Sequence, residues 1–98
     1  MSPVKVSHSP NVAGTTWRGA DSDGEFLVCA FEPSGRLQYT TPTGKFRDGS
    51  WHQRGAAISM AMNDHYAEYT GTIDGSRMSG KAKNVVHKHW TWELRRTK

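Results

Sequence analysis

Apolar and polar residues alternate with a period of two over much of this chain, in short runs separated by turn residues. Ile58, Met60 and Met62 fall on one face of such a run against Ala57, Ser59 and Ala61. Trp90, Trp92 and Leu94 do the same against Thr91, Glu93 and Arg95. A period of two puts alternate side chains on opposite faces of a half-buried strand. Between the runs stand Asp21-Ser22-Asp23-Gly24, Pro33-Ser34-Gly35, Pro42-Thr43-Gly44, Asp48-Gly49, Asn63-Asp64, Asp74-Gly75 and Ser79-Gly80. Turn signals this closely spaced, with no stretch of 3.6-residue period, predict an all-β sandwich or barrel and no helix longer than a turn. The expected strands are 15–19, 25–32, 36–41, 45–47, 50–54, 56–62, 66–73, 77–83 and 89–95. The run from Phe26 to Phe31 is apolar throughout, so its second face calls for cover by the leader or a partner. Gly71, inside the run from Tyr66 to Ile73, marks either a bulge or a close approach by another segment or a ligand.

Short antiparallel strands joined by tight turns predict a small closed or nearly closed meander barrel of about eight strands, because closure removes exposed edges. A two-sheet sandwich is the competing arrangement. Residues 1–13, with Pro3 and Pro10 and no periodicity, read as a flexible leader, and residues 14–98 as one barrel domain.

Composition changes this picture in one respect. Leu, Ile, Val and Phe supply only 14 of the 98 residues, few enough to raise disorder as an alternative. Four Trp, three Tyr and three Phe argue against it, because a large aromatic buries much area per residue. No apolar run approaches the ~18 residues of a membrane-spanning helix, and Met1 to His8 lack the layout of a signal peptide. The expectation is a soluble, cytoplasmic monomer that does not engage membranes. The single Cys29 excludes an internal disulfide and a cysteine-only metal cluster.

Taken in order along the chain, Trp17-Arg18-Gly19, Phe31-Glu32-Pro33-Ser34-Gly35 and Asp48-Gly49-Ser50-Trp51 are followed by Tyr69-Thr70-Gly71 and Ile73-Asp74-Gly75. Met78-Ser79-Gly80, Asn84 and Trp90-Thr91-Trp92 complete the series. In this order the motifs resemble small bacterial calycin-like (lipocalin-like) barrel proteins, mostly uncharacterised. The resemblance implies a calycin-like barrel and a role with a hydrophobic ligand, and it carries no catalytic residues across. Two departures stand out. Gly14-Thr15-Thr16-Trp17 is one residue longer than the Gly-x-Trp of lipocalins, and Val85-Val86-His87-Lys88-His89 lacks the expected turn glycine.

The function expected is non-catalytic binding of a small, partly apolar molecule at one end of the barrel. Trp17, Trp51, Tyr69, Trp90 and Trp92 would form its apolar walls and Arg54 an anion partner, with His52 and Glu68 as further polar candidates. The same rings are also the material available to fill the barrel. No cofactor is implied.

Charge supplies the alternative. The net charge is +4, but residues 77–98 hold seven basic residues and one acidic, while residues 1–76 carry about −2. Arg77, Lys81, Lys83, Lys88, Arg95, Arg96 and Lys98 would form a surface for an acidic protein or a single-stranded nucleic acid. Alternation sets Trp90 and Trp92 on the face opposite Arg95, so aromatics and charge are not expected to share a surface. His87 and His89, two apart, are weak candidates for a metal clip if both lie on one strand face, with a third ligand from His52, His65 or Glu93. Catalysis has little support: Cys29 lies mid-strand, where burial is expected, and Asn63-Asp64-His65 reads as a turn.

Overall fold

A computed structural model describes residues 11–98. It contains eight strands: β1 (Thr15–Asp21), β2 (Phe26–Phe31), β3 (Arg36–Thr41), β4 (Gly44–Arg54), β5 (Ala57–Met62), β6 (Ala67–Asp74), β7 (Arg77–Asn84) and β8 (His89–Arg96). Each pairs antiparallel with the next, and β8 returns to β1 in register from Trp17↔Arg96 to Asp21↔Trp92. That last pairing closes the barrel and excludes the sandwich. Among the described residues no helix is long and apolar enough to cross a membrane.

One expected boundary is wrong. The segments 45–47 and 50–54 form a single strand, because Asp48-Gly49 is not a turn. The β3–β4 register steps from Leu37↔Gly49 to Tyr39↔Phe46, so β4 carries an extra residue as a bulge. The Asp48 carboxylate accepts a hydrogen bond from the Tyr39 hydroxyl and another, at 3.2 Å, from the backbone N–H of Asn63. Asp48 thus ties the bulge to the β5–β6 turn, a role that sequence does not distinguish from a turn aspartate.

Alternation elsewhere holds as expected. Ile58, Met60 and Met62 are buried, as are Tyr69, Ile73, Trp92 and Leu94. On β2 the inward set is Leu27, Cys29 and Phe31, while Phe26 is 36% exposed. Trp17, Phe31, Leu37, Met78, Leu94 and Cys29 have almost no exposed surface, so the barrel interior is filled by side chains. Gly71 marks a close approach and not a bulge, since the β5–β6 register runs through it unbroken. It pairs with Gly80, and a Cβ at Gly71 would stand 2.7 Å from Cζ2 of Trp92. Gly71 makes room for that indole, whose N–H donates to the Lys81 carbonyl at 3.0 Å, while Gly80 lets the β6 backbone approach.

The two ends differ. At the end carrying the β2–β3, β4–β5 and β6–β7 turns, here the lower end, residues just before β1 act as a plug. Val12 is 3% exposed; its N–H donates to Gln53 Oε1 at 2.9 Å, and its carbonyl accepts the Thr15 hydroxyl at 2.5 Å. Thr15 Oγ1 in turn accepts the Trp17 indole N–H at 2.8 Å. Residues 11–13, expected as leader, therefore lead directly into packed structure; residues 1–10 of that expected leader lie outside the described residues. The upper end carries the β1–β2, β3–β4, β5–β6 and β7–β8 turns. Asn63, Asp64 and His65 form a left-handed turn with φ of 54°, 54° and 67°. In the β7–β8 turn, His87 takes φ 67° where a glycine was expected. Asn84 Oδ1 offsets that strain by accepting the N–H groups of Val86 (3.1 Å) and Lys88 (3.0 Å).

Candidate functional site

The six residues expected to line one site do not come together. Trp17 sits over the lower plug. Trp51 is half-buried; its indole N–H donates to the Glu32 carbonyl at 2.9 Å in a lower turn, and it meets Phe31 edge-on at 5.5 Å. Arg54, the last residue of β4, is exposed at the lower end, so it cannot serve a site floored by Trp90. His52 and Glu68 are exposed on the outer wall. Trp92 belongs to the mid-barrel packing over Gly71. Tyr69 and Trp90 face one opening, at the upper end, while Trp51, His52 and Glu68 border a separate, shallower hollow on the wall, which Tyr69 also reaches. The reason is connectivity: alternation assigns a face, but the height of a residue depends on the direction in which its strand crosses the barrel.

That opening is a cavity of about 200 Å³ bounded by the first hairpin from Asp21 to Leu27, by Thr41 and Asn84, and by Tyr69, Lys88 and Trp90. Tyr69 packs edge-on against Trp90 at 5.7 Å and, deeper, against Trp92 at 5.9 Å. Lys88 Nζ lies 3.0 Å from Asp23 Oδ2 and 5.9 Å from the Trp90 ring centroid. Among the described residues, the large hydrophobics that are exposed, Phe26, Phe46, Tyr66, Val85 and Val86, all lie at this end. Each of its four hairpins supplies at least one. Phe46 stacks on Tyr39 at 5.3 Å, joining the rim to the core.

Indole N–H groups distinguish Trp90 from the other three tryptophans. Those of Trp17, Trp51 and Trp92 each have an oxygen acceptor. That of Trp90 is buried with no hydrogen-bond partner among the described residues, although it lies near enough to the Tyr69 phenol to influence its titration. A buried donor without a partner costs about 1–3 kcal/mol, so Trp90 is the tryptophan whose position its surroundings secure least.

Burial pushes the Tyr69 phenol up to about 12, opposed by the Trp90 N–H and reinforced by the negative charge of Asp21 and Glu25. Tyr39 also rises to about 12, through burial and its bond to Asp48. For both, the fold favours the protonated form. Their contribution to stability is therefore complete below the unfolded value near 10 and is lost as pH rises through about 12. Absorbance titration at the tyrosinate band should show Tyr39 and Tyr69 ionising only near pH 12, together with unfolding. Ionisation of Tyr39 and Tyr69 near pH 10 with the barrel intact would contradict the packing described.

The remaining candidates are placed as follows. Cys29 is fully buried, and burial pushes its thiol further from ionisation. His87 stands in a left-handed turn while His89 opens β8, so the pair does not share the strand face that a clip needs. Among the described residues no group of three His, Cys, Asp or Glu is placed to hold a metal ion. The basic quarter is divided: Arg77 and Arg95 share Glu93, at 2.7 and 3.7 Å, and Lys88 turns to the upper opening.

These features define a filled, closed eight-stranded meander barrel with one plugged end and one aromatic-floored, apolar-rimmed end. No protein-family model, curated protein or solved structure shows significant similarity to the chain.

Proposed function

We propose that this chain is a non-catalytic binding protein that holds a small, partly apolar molecule at the upper end of its barrel. The observation that carries the reading is the placement of exposed large apolar side chains on all four upper hairpins, at the end where Trp90 and Tyr69 floor a cavity edged by Phe26. Scattered apolar surface residues need no explanation, whereas a set gathered at one end of a barrel marks an interaction site. The size of the cavity limits the ligand. At about 200 Å³ it lies below the ~300–1,000 Å³ usual for drug-sized ligands, and the filled interior leaves no channel beneath it. A single ring or a short chain fits; a long acyl chain does not. The reading accords with the hydrophobic-ligand role that the resemblance to calycin-like barrels implies. Tryptophan fluorescence titrated with one-ring aromatic compounds should respond in the native chain and lose that response in Trp90→Leu. A response that survives Trp90→Leu would contradict the assignment.

A second reading draws on the outer wall. Arg18, Arg95 and Arg77 stand side by side in register across β1, β8 and β7, a row suited to an acidic protein or a single-stranded nucleic acid. Binding of a labelled single strand that is lost at high salt and indifferent to Trp90→Leu would favour it.

A further inference from the structure

The charge around the upper opening narrows the ligand class, on the reading that this opening is a binding site. Asp21, Asp23 and Glu25 stand on one hairpin at the edge of a cavity floored by Trp90 and Tyr69. Among the described residues one ammonium, that of Lys88, pairs with any of these three carboxylates. Lys88 Nζ is 3.0 Å from Asp23 and 5.9 Å from the Trp90 centroid. A cation within about 6 Å of an indole face is attracted by the negative potential of the ring. The opening thus already accommodates an ammonium, brought to it from the rim on a flexible four-carbon stem.

Lys88 is loosely held there. Its side chain is 58% exposed, and an exposed ion pair contributes only about 0–1 kcal/mol. When it swings out, the carboxylates of Asp21, Asp23 and Glu25 are left beside an aromatic floor with no cation. Asp21 Oδ1 is already engaged by the N–H groups of Asp23 (2.9 Å) and Glu25 (3.0 Å), which fixes the hairpin that presents the charges. The Glu25 carboxylate has no ion-pair partner among the described residues. An anionic ligand meets repulsion in this field, and a neutral one gains nothing from it.

The geometry points to a small organic ammonium ion, bearing one ring or a short apolar chain, as the ligand of the upper opening: its cationic head takes the place of Lys88 over Trp90 and its apolar part lies against Phe26. Lys88 is then a tethered competitor that occupies the site when the ligand is absent.

The test is calorimetric titration of the native chain, Lys88→Gln and Glu25→Gln with 2-phenylethylamine, 2-phenylethanol and phenylacetate. Both substitutions fall on exposed side chains outside the core. The amine should bind the native chain, bind Lys88→Gln about fivefold more tightly, and bind Glu25→Gln more weakly by a similar factor. Phenylacetate should not bind. If the alcohol or the acid binds as tightly as the amine, or if Lys88→Gln leaves the amine affinity unchanged, the ammonium assignment fails while the opening stands as a site. If none of the three binds any of the proteins, both the assignment and the opening fail.

Discussion

Gly80→Val should leave no folded barrel. A Cβ at Gly80 would stand 1.9 Å from the Thr70 carbonyl oxygen and 2.5 Å from the Gly71 Cα. Both are backbone atoms of the adjacent strand, so no side chain can turn aside to make room. The only relief is separation of β6 from β7, which breaks the ladder beneath Trp92. The expected loss exceeds about 4–5 kcal/mol, comparable with the roughly 5–15 kcal/mol total stability of a small domain. Gly24→Ala is the control. Gly24 has φ +85° but nothing within 4 Å of a Cβ, so only backbone strain of about 1–2 kcal/mol applies. Circular dichroism and urea unfolding should find Gly24→Ala folded and Gly80→Val unfolded. A cooperative transition near the native midpoint for Gly80→Val would show that β6 and β7 do not approach as closely as described.

The second large effect separates the tryptophans into two kinds. Trp92→Ala should cost about 3–5 kcal/mol, the range for removing a large buried aromatic ring, and Trp17→Ala should cost a similar amount. Trp92 is 3% exposed, packs over Gly71, and donates to the Lys81 carbonyl. Trp17 is 2% exposed and bonds through Thr15 to the plug at Val12. At roughly 4–8 °C per kcal/mol for a domain near this size, either change lowers Tm by more than about 12 °C. Trp90→Leu should cost far less, because the ring is half-buried and its N–H has no partner to lose. Equal losses at Trp90 and Trp92 would remove the distinction between packing and site.

Much of the fold was legible because period-two alternation reports burial directly. Ile58, Met60 and Met62 turned inward as the pattern required, and most strand ends moved by one or two residues. Asp48-Gly49 was misread because a bulge and a turn use the same residue types; what separates them is the bond from Asp48 to Tyr39, which joins residues that only the folded chain brings together. Val12 was assigned to the leader because one apolar residue among polar neighbours has no period. Its burial depends on a partner, Gln53, 41 positions away.

The site was less legible than the fold. Alternation places Trp90 and Trp92 on one face but does not say that Trp51 and Arg54 lie low and Trp90 high. That follows from strand direction, which fixes height only once every hairpin is known. Phe26, Phe46, Tyr66, Val85 and Val86 carried a usable signal: each large apolar residue sits in or beside every second turn, and in a meander alternate turns share one end. The pairing of Lys88 with Asp23 had none, since the two stand on different hairpins.

The most direct measurement follows the four tryptophan indole N–H resonances by ¹H–¹⁵N correlation spectroscopy while one-ring aromatic amines, alcohols and acids are added to ~1 mM or above. With a filled barrel and a site at the upper opening, the Trp90 resonance should move progressively with ligand while those of Trp17, Trp51 and Trp92, each already hydrogen-bonded, stay in place. Movement of Trp17 or Trp92 with Trp90 still would place the ligand inside the barrel, and a Trp90 resonance unmoved by every compound would contradict binding at the upper end.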